Sequence, residues 1–227
     1  MNNDYKIIQT IAKSTINYLK KEIRVGMSEK EIAVLSNNYM QSLGVESFWW
    51  YGIGSMVLIG KRSILSENPL DYKPSNNILK EGSVVNIDLS PCINGINGDF
   101  ARTFFVENGL IKSDSDEVDS AVIKEGLLIE KMLHSFLLKI VTQETIISDF
   151  CKQVNALLEK KGFKNLDFRN NFGHSINCEK VYIDENNNSV FGSLKFFTFE
   201  PHITKDNING FKYEDIYYFK DGKLNSL

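Results

Sequence analysis

Four stretches of the chain repeat apolar residues at helical spacing, and four shorter runs between and after them carry strand signals. Tyr5, Ile8, Ala12, Ile16 and Leu19 predict a helix over residues 4–23. A second helix is predicted after Gly26, where Ser28 and Glu31 form a capping-box pair and Ile32, Leu35, Tyr39, Met40 and Leu43 make a buried stripe ending at Gly44. Two more are predicted from about Ser115 to Lys139 and from about Ile146 to Lys160, the last with Ile147, Phe150, Cys151, Val154, Leu157 and Leu158 on one face. In Val84 to Ser90, the apolar Val85, Ile87 and Leu89 alternate with Asn86, Asp88 and Ser90, the period of a half-buried strand. Further strands are predicted over Asp99 to Val106, Lys195 to Glu200 and Glu214 to Phe219. Pro201, which has no N–H to donate, should end the third or leave it at an edge. Two helices then strands, followed by two helices then strands, is a weak internal duplication, with Glu29 to Gly44 against Glu144 to Gly162 as its best correspondence.

Composition narrows the class. With 227 residues and 42% of them hydrophobic, the chain suits one compact domain or two tightly fused halves. A formal charge of −3, with acids and bases mixed, argues against a dedicated nucleic-acid surface. No apolar run approaches the roughly 20 residues of a membrane span, and the N-terminus lacks a signal pattern, so a cytoplasmic protein without membrane partners is expected. Cys92, Cys151 and Cys178 are far apart and read as free thiols.

The candidate chemistry lies in four acids and one histidine. Asp88 points away from the apolar face of its strand. Asp99, eleven positions on (99 − 88), opens the next strand through the turn expected at Gly95-Ile96-Asn97-Gly98, which puts the two carboxylates side by side. Glu200 ends a strand, Glu214 begins one, and His174 follows Gly173, whose missing side chain allows close backbone approach. Singly, each reads as a solvated acid or a loop histidine. As an ordered set they read as a two-metal site, with four carboxylates offsetting two divalent cations and a neutral imidazole adding a donor. Such ligation suits manganese, cobalt, iron or zinc without choosing among them.

The stretches Val85-Asn86-Ile87-Asp88, Gly98-Asp99-Phe100-Ala101-Arg102-Thr103-Phe104, Gly173-His174-Ser175-Ile176, Phe197-Thr198-Phe199-Glu200-Pro201 and Tyr213-Glu214-Asp215 resemble, in order and spacing, the methionine aminopeptidase, prolidase and creatinase group. The resemblance covers nearly the whole chain. It implies an α+β "pita-bread" fold, two pseudo-symmetric halves with a curved, mainly antiparallel sheet covered by helices. Residues 1–227 would form a single catalytic domain without an extra N-terminal one. It also implies that Asp88, Asp99, His174, Glu200 and Glu214 hold two divalent ions, that a metal-bridged hydroxide attacks a carbonyl, and that Glu200 shuttles the proton. The implied activity is aminopeptidase-like, on the N-terminal residue of a short peptide, an X-Pro peptide or a small peptide-like amide.

Two histidines with which the group's active peptidases contact the scissile amide are missing. Val181 stands seven positions after His174, and Val57 to Glu67 contains no histidine. His202 is the leading replacement, as a catalytic residue, with Glu179, Lys180, Arg62 and Ser66 as others. Trp50, Tyr51 and Phe172 are candidates for lining a substrate pocket, and His134 reads as a partly exposed helix residue. A non-catalytic binding module that kept the fold and a specialised hydrolase of a non-peptide C–N bond are the alternatives. Oligomeric state is not legible.

Overall fold

The computed structural model describes residues 3–67 and 69–227. Helix α1 (Asn3–Glu22) is followed by α2 (Glu29–Ser42), which starts on the expected box: Ser28 Oγ accepts from the Glu31 amide at 3.2 Å, and the Glu31 carboxylate accepts from the Ser28 amide at 2.7 Å. Strands β1 (Ser47–Phe48), β2 (Ser55–Ile59), β3 (Val84–Leu89), β4 (Pro91–Ile93), β5 (Ile96–Asn97), β6 (Phe100–Glu107) and β7 (Leu110–Lys112) complete the first half. They form an antiparallel sheet ordered β2-β3-β6-β7 and a small sheet ordered β1-β4-β5. The expected turn at Gly95–Gly98 is displaced. Asn94 and Gly95 both take positive φ, 52° and 71°, as a two-residue hairpin turn of right-handed twist requires, and Ile96–Asn97 pairs back on β4. Ile8, Ala12 and Leu19 of α1 and Ile32 and Met40 of α2 pack on Ile87, Leu89 and Phe104 of the sheet.

The second half opens with α3 (Ala121–Ile140) and α4 (Ile147–Lys160). Helix α3 begins six residues after the expected start at Ser115. The Glu107 carboxylate accepts from the amides of Asp119 (2.9 Å) and Ser120 (3.1 Å), an alternative to helical bonding that leaves only a 3₁₀ turn at Ser115–Glu117. Strands β8 (Lys164–Asn165), β9 (Phe197–Phe199), β10 (His202–Thr204), β11 (Gly210–Lys212), β12 (Asp215–Lys220) and β13 (Lys223–Ser226) form two antiparallel sheets, ordered β11-β10-β8 and β13-β12-β9. Pro201 sits where the chain leaves one sheet for the other, a place where no ladder bond is lost. Phe150, Phe172, Phe191, Phe197, Phe199 and Phe211 fill this half's core, each fully buried side chain contributing about 1.5–3 kcal/mol.

His134 corrects the sequence expectation, because it is buried. Its Nε2 donates to the Tyr213 carbonyl at 3.0 Å, and its Nδ1 accepts from the Tyr217 hydroxyl at 2.6 Å. The cause is the close seating of α3, where a Cβ on Gly126 would lie 2.3 Å from the Phe211 ring. The halves join edge to edge: the Glu214 amide donates to Ala101 O (3.0 Å) and the Lys212 amide to Thr103 Oγ1 (2.7 Å). The Arg102 guanidinium lies between the Phe100 and Tyr213 rings and pairs with Asp215 at 3.0 Å. The three cysteines are free thiols, and among the described residues no helix is long and apolar enough to cross a membrane.

Candidate metal centre

Four strand ends, two from each half, and a bridge segment around His174 deliver the five expected side chains to one place. Asp88 lies near the end of β3, opposite Ala101 of β6, and Asp99 immediately precedes β6. Strands β9 and β12 pair Phe199 against Asp215, so Glu200, just after one, and Glu214, just before the other, emerge at the same end of one ladder. An oxygen from each of Asp88, Glu200 and Glu214 lies within 4.8 Å of the other two. His174 Nε2 stands 3.4 Å from Glu200 Oε1 and 3.7 Å from Asp99 Oδ2, which links the remaining pair to the cluster.

The backbone around His174 is set by contact with β9. At Gly173, φ is +152° and a Cβ would meet the Thr198 carbonyl oxygen at 2.1 Å, so only glycine fits. Thr198 Oγ1 accepts from the His174 amide (3.0 Å) and donates to Glu200 Oε1 (3.2 Å), fixing two of the five groups at once. His174 Nδ1 lies 2.9 Å from the Ser175 carbonyl, which can only accept. The ring proton is therefore on Nδ1, and Nε2 turns its lone pair to the cluster, the tautomer a metal ligand needs. Burial, ahead of all other influences, holds this imidazole's pKa down and keeps it neutral.

The charge balance calls for a cation. Glu214 is fully buried, and neither of its oxygens has a hydrogen-bond partner among the described residues. Burial first, then Asp99, Glu200 and Asp88, push its pKa well up; burial, Asp88 and Glu200 do the same to Asp99. An uncompensated buried carboxylate costs several kcal/mol. Four carboxylates and one imidazole lone pair are a donor set that fits divalent cations of hard or borderline character, so the residues present suit such an ion.

Sequence reasoning missed Lys212. Its ammonium is hydrogen-bonded to Asp88 Oδ2 and stands 3.0 Å from Glu200 Oε2. Burial opposes its charge, but Asp88, Glu200 and Glu214 outweigh burial and raise its pKa well above the ordinary lysine range. Burial also works upward on Glu200, yet the Lys212 ammonium, by its charge and its hydrogen bond, draws the pKa down to about 2. A signal existed: Lys212 lies two residues before Glu214 in an extended run, and a period of two places both on one side.

Asp88, Asp99, His174, Glu200 and Lys212 line a cavity of about 320 Å³, with Glu214 buried beside them. Trp50 and Tyr51 line it, as does Trp49, whose ring packs edge-on to His174 at 5.8 Å. Phe172 does not. Its ring is fully buried in the core against Phe199, so the expectation that it faces substrate is corrected. His202 lines the cavity, but its Nε2 lies 2.7 Å from the Ser63 carbonyl and donates its proton there. Burial, then Lys212, lowers its pKa to about 4, so the free Nδ1 of the neutral ring is an acceptor and cannot replace a missing donor. Arg62 is tied to Glu29 (3.1 Å) and Glu67 (3.3 Å), and Val181 packs against the second core; Lys180 and Ser66 do line the cavity.

A sequence model of metallopeptidase family M24 matches residues 3–221. The chain is similar to the methionine aminopeptidase of Clostridium perfringens (strain 13 / Type A), 25% identical over 174 residues that make up 75% of this chain and 62% of that protein. It is also similar to methionine aminopeptidase 1 of Bacillus subtilis (strain 168), 31% identical over 111 residues, 48% of this chain and 42% of the relative. The chain thus spans only part of the length of these curated relatives. Among solved structures, an X-Pro aminopeptidase from Thermotoga maritima MSB8 superposes with a TM-score of 0.80 at 24% identity, over 98% of this chain and 58% of that one. The prolidase from Pyrococcus furiosus gives 0.77 at 21% identity, over 100% and 64%. These likenesses show a shared α+β pita-bread fold.

Proposed function

We propose, since the chain belongs to metallopeptidase family M24, that it is a divalent-metal-dependent hydrolase of amide bonds that releases the N-terminal residue of a short peptide. The observation that carries this is the fully buried Glu214 carboxylate, without a hydrogen-bond partner among the described residues, beside Asp88, Asp99, His174 and Glu200, which line a cavity. These five side chains would hold the metal, two ions being the complement of the four carboxylates once Lys212 yields its contacts with Asp88 and Glu200. Divalent ions bound there supply Lewis acidity toward a carbonyl and lower the pKa of water. Glu200 is ionised, and it is the proton acceptor we assign for the attacking water and the carrier of that proton to the leaving amine. Thr198 holds its Oε1 and Lys212 its Oε2, so the carboxylate is oriented before substrate arrives. Trp49, Trp50 and Tyr51 would cover the substrate and exclude water.

A second reading, a specialised hydrolase of a non-peptide C–N bond, is favoured by the commitment of the His202 proton to Ser63 and the absence of any other histidine donor in a chain with three histidines. One experiment addresses both. Metal-free protein is reconstituted with manganese, cobalt, iron or zinc, assayed against Met-peptides, X-Pro peptides and small amides, and its bound metal is counted by elemental analysis. Asp99→Ala is expected to lose bound metal and at least about 10²-fold in rate, the scale set by deleting one transition-state contact. Full hydrolysis by metal-free protein would refute the proposal.

A further inference from the structure

We propose that Lys180, with Arg169 beside it, makes this cavity select substrates that carry a carboxylate of their own near the scissile amide; this rests on the hydrolase reading above. Lys180 and Arg169 both line the cavity. The Lys180 ammonium lies 5.5 Å from the Trp49 ring centroid and 5.6 Å from that of Tyr182, held between two aromatic faces. Trp49 in turn packs on His174, so this charge stands one ring away from the candidate metal ligands. Arg169 donates to the Tyr182 hydroxyl at 2.7 Å, with its guanidinium 5.1 Å from the same ring.

Of the other charges lining the cavity, Asp99 belongs to the candidate metal site and the rest are paired or hydrogen-bonded. Glu67 pairs with Arg62 at 3.3 Å, and Asp167 accepts from the amides of Arg169 (2.8 Å) and Asn171 (3.1 Å). Lys212 is paired with Asp88 and Glu200. Among the described residues no carboxylate lies within ion-pair distance of Lys180 or Arg169, so the wall presents two cations without a contact counter-ion, Lys180 acting only at longer range on Asp99 and Glu200. A neutral substrate filling the cavity would displace part of the water around the exposed Lys180 ammonium and return nothing. A carboxylate would replace that water with a charge-assisted hydrogen bond, and Arg169 could add a second. The carboxylate can belong to an acidic side chain or to the peptide's own C-terminus; the ligand chemistry is the same.

The test uses the metal-loaded full chain and two matched comparisons, Asp-Ala-amide against Asn-Ala-amide and Ala-Ala against Ala-Ala-amide. Hydrolysis is measured as kcat/KM, and binding of the corresponding reduced-amide analogues by calorimetry. At least one comparison should favour the carboxylate about tenfold. The preference should fall below about twofold in Lys180→Met, reverse in Lys180→Glu toward lysine-bearing analogues, and shrink with added salt. Which comparison discriminates identifies the source of the carboxylate. No preference in either, or a preference that survives both variants, overturns the proposal. If no peptide is hydrolysed, the hydrolase reading fails while calorimetry still decides whether Lys180 selects carboxylates.

Discussion

Lys212 and His134 show how much of this site is built from side chains that are not donors to a metal. Lys212 bridges Asp88 and Glu200 inside the cluster and offsets one of their two charges. Lys212→Met should destabilise the metal-free protein by about 3 kcal/mol, the scale of breaking a buried pair, with manganese restoring part of the loss; urea midpoints with and without metal measure it. An unchanged midpoint in metal-free protein would mean that the carboxylates manage without the ammonium. His134 holds the carbonyl of Tyr213, directly before Glu214, and burial pushes its pKa down to about 3. Its pKa is lowered on folding, so the folded protein keeps the ring neutral while the unfolded chain takes up a proton below about pH 6.5. Its stabilising contribution is whole above that pH and is lost as pH falls toward 3. His134→Gln should cost about 1–3 kcal/mol at pH 7, with the gap to wild type narrowing by about 1.4 kcal/mol for each pH unit below 6.5 and reversing in favour of the variant by about pH 4. A gap constant from pH 7 to 4 would show that the ring titrates alike in both states.

At the level of elements, the sequence was informative where one segment supplied its own reason and silent where the reason lay in a partner. The Ser28–Glu31 cap is local and was legible; the alternation marked β3 as a strand, but the half-buried reading is corrected, since Asn86 is buried against Ser63 and Thr103 of neighbouring elements. The late start of α3 depends on Glu107, and the burial of His134 on how closely α3 meets β11, neither of which leaves a local trace. Ordered spacing made the acids and His174 recognisable together, whereas Lys212 and Thr198 resemble ordinary strand residues until β9, β11 and the His174 segment are brought side by side. Gly173 was legible as a close approach, and the structure supplies the obstacle, the Thr198 carbonyl. Gly173→Ala should therefore part the His174 segment from β9, lower the melting temperature by several degrees and reduce metal content; normal metal content in a folded variant would show that β9 yields without disturbing His174.

Over the whole molecule, two cores meet at one cluster of carboxylates. Asp88 and Asp99 come from the first half, and His174, Glu200 and Glu214 from the second. Any ion held between them binds only when the halves are together. Chelation should accordingly lower the melting temperature, and metal at 100 times its Kd should stabilise the fold by about 2.7 kcal/mol. A melting temperature indifferent to both chelator and metal would place the ion elsewhere. The amide of Glu214, donating to Ala101 across the seam, carries a further consequence. Its exchange with deuterated solvent requires the seam to open, so this one proton is a clock for the parting of the halves, running slowly while a cation bridges them and faster once the cation has been withdrawn.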